Sequence, residues 1–367
     1  SAEKWNACCD NRNPFMRWEF LMNLEKTQCV GPSTGWDHWY GLVYQNTELV
    51  ATWPMYLKSH SYGEYVFDSQ WAHFSHQLGH AYFPKLVVSI PFTPATCSRI
   101  GLADGIALSD VIEHIKHQLL ETADTLNASS IHILYLTDNE KDSFENVQFS
   151  VRKGFQYYWR NEGYATFDEF LAKLTVNRRK SIRKERKHLN QSSLVIERIE
   201  GDAITDHHMD FLWQCYQDTT SRKWGEAYLT EAWFQSIHHH LSSHMVLFLA
   251  KDESYYTAGS LNFSAGDQLY GRYWGALNDI KYLHFECCYY QLIDHAIHHH
   301  YQRIDAGVQG EHKFIRGFQP TPTYSCHWIK QPVLRDVVNQ FIALETKEID
   351  RLIQEYKKVT PFKDKNK

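Results

Sequence analysis

One stretch near the end of the chain, residues 307–328, concentrates side chains that can donate or accept protons. Between three glycines and two prolines it holds Glu311, His312, Lys313, Arg316 and Tyr324. A carboxylate or an imidazole can remove the proton of an attacking amine, so Glu311 or His312 is predicted to act as the base. Glu286, on a predicted helix before this stretch, is a third candidate for the base.

The cationic residues of this stretch have a different predicted role. Lys313 and Arg316 could hold a carboxylate or phosphate of a substrate, since the planar guanidinium group binds two oxygens at once. Tyr324 is predicted to contact the same substrate. The alternative is that Arg316 and Glu311 only tie the segment to its domain.

A second group lies in LYGRYWGALNDIKYLHFE, ahead of the first one. On a strand, alternation places Arg272 and Trp274 on one face and Tyr273 on the other, and we expect these residues to line a substrate face. Glu286 shares a helix face with Tyr290, four residues later. The alternative is a half-buried packing seam with an ion pair between Arg272 and Glu286.

Two further loops combine polar and aromatic residues. SHSYGEYVFD carries His60 and Tyr62, which we expect on the facing wall of a cleft between two domains. TTSRKWGEAYL carries Lys223 and Trp224 and is predicted to form a third such loop.

The segment NRRKSIRKERK is strongly basic, with seven Lys or Arg residues against one Glu. These are Arg178, Arg179, Lys180, Arg183, Lys184, Arg186 and Lys187. They form either a solvated helix face or a docking patch for phosphates of tRNA, of a nucleotide-linked precursor or of a membrane surface.

The motifs of other catalytic classes are absent from the sequence. His295 and His299 are four residues apart, a spacing compatible with metal binding, but no HExxH occurs and no acidic or Cys partner is convincingly spaced, so no metal site is predicted. No GxSxG, P-loop or dinucleotide-binding pattern occurs. The eight cysteines form no CxxC pair, which favours reduced thiols in a cytoplasmic protein.

Length and patterning predict two domains of mixed α/β structure. The chain has 367 residues, 43% hydrophobic content and a formal net charge of −5, and no apolar run is long enough to span a membrane. The segments 41–72 and 245–276 share an order of three predicted strands and both end in Trp and a small residue. We therefore predict an N-terminal domain at 1–164 and a C-terminal domain at 165–367, which carries the predicted active site.

The order of elements resembles the GNAT acyltransferase fold, and FSVRKGF at 149–155 resembles the closing helix–Gly–Phe turn of that fold. Longer segments, including NPFMRWEFLMNLEKTQCVGPSTGW, YFPKLVVSIPFTP, NRRKSIRKERK and GVQGEHKFIRGFQPTPTYSCHW, resemble the FemAB-like "peptidoglycan biosynthesis/recognition" family, a tandem-GNAT group. The resemblance runs from about Asn13 to Leu344. It implies direct transfer of an acyl or aminoacyl group to an amine of a peptidoglycan precursor, a peptide or a small molecule.

The identity of the donor stays open at the level of sequence. The GNAT loop that grips coenzyme A, Q/R-x-x-G-x-G/A, occurs in neither half, which favours an aminoacyl or other acyl donor, such as aminoacyl-tRNA, over acetyl-CoA. No tightly bound cofactor is predicted. The alternatives are a protein that recognises a peptidoglycan-like or peptide ligand without catalysis, and a coenzyme-A-dependent N-acetyltransferase.

Overall fold

A computed structural model describes residues 1–10, 12–223, 227–307 and 310–363, with only the backbone of Lys223. The strands are β1 (Trp36–Gln45), β2 (Glu48–Lys58), β3 (Lys85–Val88), β4 (Gly101–Leu102), β5 (Ser130–Leu136), β6 (Ser150–Arg160), β7 (Leu194–Glu200), β8 (Met245–Asp252), β9 (Tyr255–Ala265), β10 (Gln268–Ala276), β11 (Arg303–Asp305) and β12 (Gln319–Ile329). The α-helices are α1 (Ala2–Cys8), α2 (Trp18–Lys26), α3 (Ser69–Gln77), α4 (Leu108–Thr125), α5 (Asp138–Asn146), α6 (Phe167–Lys173), α7 (Val176–Asn190), α8 (Asp206–Lys223), α9 (Glu231–Leu241), α10 (Leu283–Phe285), α11 (Gln291–His298) and α12 (Pro332–Lys358).

The chain forms two compact units, and neither is continuous in sequence. The first unit comprises Ser1–Phe155 and Pro322–Leu352. The second comprises Gln156–Thr321 and Ile353–Lys367. The sequence-based boundary at 164/165 follows chain order, whereas the chain passes between the compact units at residues 155/156 and returns to the first unit at Pro322.

The sheet of the first unit has the strand order β1-β2-β3-β5-β12, with β4 paired to β2. The pairs β1–β2 and β2–β3 are antiparallel, β3 and β5 are parallel, and β12 closes the order antiparallel to β5. Amphipathic helix α4 covers this sheet, because its apolar residues recur at helical spacing and bury Val111, Ile115 and Leu119 in the main core.

The sheet of the second unit repeats this pattern in the order β7-β8-β9-β10-β11-β6. Strands β7 to β10 form an antiparallel meander, β10 and β11 are parallel, and β6 pairs antiparallel with β11. A meander followed by a parallel pair is therefore present in both units, as the resemblance to tandem GNAT proteins predicted.

In each unit, the strand beyond the parallel pair comes from a distant part of the chain. Strand β6 follows the helix α5 of the first unit, yet its residues 158–160 pair with β11 in the second unit. Strand β12 follows β11 along the chain, yet residues 324–329 pair with β5 in the first unit. Each of these pairings therefore joins strands that are far apart along the chain.

Two predicted elements of the first half differ in the structure. The segment GEYVFDSQWA is not a third strand, because Gly63 and Tyr65 have φ of +81° and +60° and Ser69 begins helix α3. The third antiparallel strand is β3 instead. The segment FSVRKGF is also not a helix followed by a turn: helix α5 ends at Asn146, and Gly154 lies inside β6.

The described part of the chain contains no helix that is both long and apolar enough to cross a membrane. All eight cysteines are free thiols, and most are buried.

Candidate functional site

The sheet of the second unit opens where β10 and β11 separate. Their parallel pairing covers only residues 268–270 and 303–305, because β11 ends at Asp305 while β10 continues to Ala276. The register of β10 with β9 shifts between Gly271 and Tyr273, so Arg272 lies in a bulge at the same level. Polar groups that follow β11 therefore reach an edge of β10 that β11 leaves uncovered.

Asp305 and Lys313 lie at this opening, and both are buried. The Asp305 carboxylate accepts a hydrogen bond from the Gly307 backbone N–H at 2.8 Å, and its second oxygen is buried without a partner among the described residues. Burial raises the pKa of Asp305, against the effects of the Gly307 N–H, Arg303, Arg272 and Lys313. A raised pKa suits a group that must accept a proton.

Lys313 is 4% exposed, and its ammonium donates to the Gly307 carbonyl at 2.9 Å. Burial lowers its pKa to about 8, although the nearby Asp305 and Cys288 raise it. An ammonium carries three donors, so Lys313 has capacity for a further acceptor. The pair thus offers a proton acceptor and a cationic donor on either side of Gly307.

Arg316 holds the segment 311–316, which is a 3-10 helix rather than an open loop. Its guanidinium group is 4% exposed and donates to both oxygens of Glu185 at 2.9 Å. It also donates to the Tyr290 hydroxyl and to the His312 carbonyl, both at 2.8 Å, and stacks on Phe285. This geometry supports the alternative for Arg316, a tie between the segment and its unit, because its donors are directed at protein atoms.

Glu286 lies in a π-helical turn, Glu286–Tyr290, between α10 and α11. One carboxylate oxygen accepts from Arg186 at 3.0 Å and from Gln291 at 2.8 Å. The other is buried and has no partner among the described residues. A π-helical turn inside a helix frequently marks a functional position. The sequence offered an ion pair between Arg272 and Glu286 as an alternative, but in the structure Glu286 pairs with Arg186 instead.

His312 and Glu311 differ sharply in their surroundings. His312 Nε2 is 2.9 Å from the Tyr289 hydroxyl, and its ring lies among Tyr289, His284 and Phe285. Burial, with Lys313 and Arg316 nearby, lowers the pKa of His312, so the imidazole is neutral near pH 7. Glu311 is exposed.

The aromatic pair of β10 lies on opposite faces of the strand, as alternation predicts. Tyr273 packs against Tyr216 and Trp233 of α8 and α9, whereas Trp274 contacts His284. The Arg272 guanidinium lies 5.5 Å from the centre of the Tyr273 ring. Trp274 therefore reaches the same aromatic cluster as His312.

The basic helix α7 has an inner face that contacts its own unit and an exposed face that carries most of its cations. On its inner face Glu185 contacts Arg316 and Tyr290, while Arg186 contacts Glu286, so α7 is fixed to the π-helical turn. Arg183 forms an exposed pair with Asp168. The remaining cations are Arg178, Arg179, Lys180, Lys184 and Lys187, of which all but Arg179 are exposed.

Three other residues that the sequence predicted to contact substrate lie in the first unit. Tyr324 belongs to the part of β12 in that unit, where Lys141 lies over its ring. His60 is held by the Thr34 carbonyl at 2.9 Å and by the Tyr62 N–H at 3.2 Å, and Tyr62 is 70% exposed. These three residues belong to the first unit, whereas Asp305 and Lys313 belong to the second. The Lys223 side chain and Trp224 lie outside the described residues.

The segment 59–68, which carries His60, also contributes to a buried ionic cluster in the first unit. The Lys85 ammonium donates to Glu64 at 2.8 Å and to Asp68, which also accepts from the Tyr82 hydroxyl at 2.6 Å. Burial raises the pKa of Glu64 to about 7. Burial acts to raise the pKa of Asp68, but Lys85, His132 and Ser61 together lower it to about 2. This cluster holds the segment 59–68 to the start of β3.

Each of the two units thus combines an antiparallel meander with a parallel pair of strands, in a fold of mixed α/β class. The chain belongs to the FemAB-like family, described as peptidoglycan biosynthesis/recognition, whose model matches residues 1–364. No curated protein sequence matches the chain significantly.

Solved structures extend the comparison of folds. FemX is similar with a TM-score of 0.56 and 13% identity, over 92% of this chain and 98% of FemX. L-PGS from Bacillus licheniformis is similar with a TM-score of 0.53 and 10% identity, over 91% of this chain and 98% of that one. The C-terminal domain of a putative lysylphosphatidylglycerol synthetase from Agrobacterium fabrum gives 0.55 and 9%, over 93% and 96%. At these identities the similarity shows a shared fold.

Sequence reasoning missed two residues of this site. Asp305 had a usable signal, as an acid at the end of a short apolar strand directly before a glycine. Glu185 had one as well, as the single acid in a run of seven cations. Both signals were visible, but only the fold shows that Asp305 is buried near Lys313 and that Glu185 is half-buried against Arg316.

Proposed function

We propose that this protein is an acyltransferase that moves an acyl or aminoacyl group onto an amine, with its reaction centre at Asp305 and Lys313. The observation that carries the proposal is the buried Asp305 oxygen without a partner, close to a buried lysine, where β10 and β11 separate. A buried acid and base with perturbed pKa values in such an opening are typical of catalytic sites.

The proposed reaction is direct. The acceptor nitrogen attacks the carbonyl carbon of the donor ester, a C–N bond forms, and the ester C–O bond breaks. Asp305 accepts the amine proton, and the Lys313 ammonium donates to the carbonyl oxygen as negative charge develops on it. The proton taken by Asp305 then passes to the leaving hydroxyl. Glu286 and His312 remain alternative bases, but Arg186 already occupies one oxygen of Glu286.

The basic helix α7 supports aminoacyl-tRNA as the donor. Its cations outside the pairs with Glu286 and Asp168 form a positive surface on the helix that is fixed to the Arg316 segment, and a polyanion binds such a surface through its phosphates. The missing coenzyme A loop points in the same direction. The family description supports an amine of a peptidoglycan precursor as the acceptor.

The test is a transfer assay with labelled aminoacyl-tRNA or labelled acetyl-CoA and peptide-amine acceptors. Asp305→Asn and Lys313→Met should each lower kcat by about 10²–10⁴-fold. The exposed residues of the same unit provide matched controls, Asp267→Asn and Lys173→Met, which should keep wild-type rates. Full activity in both Asp305→Asn and Lys313→Met would refute the assignment, and acceptor binding without turnover for any donor would favour a recognition protein.

A further inference from the structure

A second polar group lies near the C-terminal end of α11, the helix that continues from the π-helical turn. Here His295 and His299 meet Glu200, the last residue of β7. Their candidate ligand atoms all lie within 4.8 Å of one another. Glu200 is the carboxylate partner that spacing in the sequence could not supply, because 95 positions separate it from His295 along the chain.

His295 is the central residue of this group. It is 3% exposed, and its Nε2 atom is buried without a hydrogen-bond partner among the described residues. That atom faces Glu200 Oε2 at 3.8 Å, which is too long for a hydrogen bond. Two ligands on one tetrahedral ion, each bonded at about 2.0–2.2 Å, are roughly 3.4 Å apart. The separation is close to what a shared ion requires.

The other groups around His295 support this arrangement. The ring of His299, one helical turn later, lies 4.4 Å from that of His295, centre to centre, and His299 is exposed to solvent.

We propose that Glu200, His295 and His299 form a site for a divalent transition-metal ion of the zinc class, with one coordination position open to water. Two imidazoles and one carboxylate are ligands that Zn²⁺ and Co²⁺ prefer. The bound ion joins the edge strand β7 to helix α11, which continues from the π-helical turn that carries Glu286.

One positive side chain opposes the ion. Arg198 Nη1 lies 3.4 Å from His295 Nδ1, and its Nε lies 3.5 Å from Glu200 Oε1. The Arg198 side chain is 41% exposed, so it can turn into solvent when an ion binds. Removing its charge by Arg198→Gln should therefore tighten metal binding.

A rival cluster of Asp206, His238 and His239 provides the internal control. There His238 Nε2 already lies 2.9 Å from Asp206 Oδ1, at hydrogen-bond distance. The buried nitrogen that faces the cluster therefore has a protein partner, unlike His295 Nε2.

The full chain, freed of metal by chelation, is titrated with Co²⁺ by absorbance and with Zn²⁺ by calorimetry. We expect one ion per chain at high affinity, and a Tm that rises with Zn²⁺. Glu200→Gln and the exposed-site variant His299→Ala should each weaken binding by at least about tenfold, because one of three protein ligands is lost. His298→Ala and His239→Ala should bind as the wild type does.

Several outcomes would overturn the site. These are the absence of a ligand-field spectrum in the wild type, unchanged affinity in His299→Ala, and loss of binding in His239→Ala. Weaker binding in Arg198→Gln would contradict the assigned geometry. Because His299 is exposed, its alanine variant should fold normally, and an unchanged Tm without metal confirms this.

Discussion

The buried contact between Glu185 and Arg316 permits a quantitative prediction. Both oxygens of Glu185 accept from one guanidinium group, and the side chains are 13% and 4% exposed. Removing one partner of a buried ion pair costs about 3–5 kcal/mol, because the other charge stays buried without compensation. In Glu185→Ala, Arg316 would keep the Tyr290 hydroxyl, the His312 carbonyl and the stacking on Phe285. We therefore expect a loss near the lower limit, about 3 kcal/mol.

The assay is urea unfolding monitored by tryptophan fluorescence, with Arg183→Ala as a matched control on the same helix. Arg183 pairs with Asp168 at 3.0 Å, but the two side chains are 58% and 78% exposed. An exposed pair contributes about 0–1 kcal/mol, so this control should be nearly neutral. The double variant Glu185→Leu with Arg316→Met should regain much of the lost stability, because replacing both members of a buried pair by apolar residues is often neutral.

The reasoning would be refuted if Glu185→Ala cost less than about 1 kcal/mol, the range of an exposed pair. Equal losses in Glu185→Ala and Arg183→Ala would refute it as well. A second readout connects stability to the site: Glu185→Ala frees the 3-10 segment that carries Lys313, so transferase activity should fall further than the change in stability explains.

Three further predictions concern the same unit. Burial lowers the pKa of Lys313 to about 8, so kcat/KM should fall as pH rises through about 8 if its ammonium is required. Lys313→Arg should move this alkaline limb of the pH profile to higher pH. An alkaline limb at the same pH in Lys313→Arg would contradict the role of Lys313 as a cationic donor. Gly310 has φ +111°, and an added Cβ would lie 2.4 Å from the His312 ring, so Gly310→Ala should lower stability and activity. Gly201→Ala is the control, because Gly201 has φ +60° but open space around it, and it should lower the free energy of unfolding by only about 1–2 kcal/mol. Equal losses of stability in the two variants would contradict the clash between residue 310 and the His312 ring. Replacing three exposed cations of α7 by Glu should weaken tRNA binding and flatten its dependence on salt, and an unchanged slope would argue against docking on this helix. The three cations are Lys180, Lys184 and Lys187.

The position of the charged residues in the second unit was only partly predictable. The sequence identified residues 307–328 as a concentration of acid–base chemistry, and the structure places Lys313 and His312 among buried polar and aromatic groups. It could not separate the roles of neighbouring residues, because burial depends on which helix covers each one. Arg316 is bound by Glu185 of α7, 131 residues earlier, whereas Glu311 in the same segment is exposed.

The proposed metal site also shows which ligands local spacing can reveal and which it cannot. The spacing of His295 and His299 is a local property of one helix, so the sequence revealed it. The third group, Glu200, lies at the end of an edge strand, and no spacing rule connects it with α11. Only the packing of β7 and α11 in one unit brings the carboxylate to the imidazoles.

Apart from the segments 63–72 and 149–155, the sequence by itself determined most local elements and the mixed α/β class, since hydrophobic periodicity and turn residues depend on neighbours along the chain. Tertiary structure alone decided which strands complete each sheet. Chain order would pair β6 with β5 and β12 with β11, yet β12 pairs with β5 and β6 with β11. Similar apolar strands carry no local mark of their partner, because pairing is selected by the packing of whole sheets. The pairing of β12 with β5 also places Tyr324 in the first unit and leaves Lys313 in the second, although only eleven positions separate them.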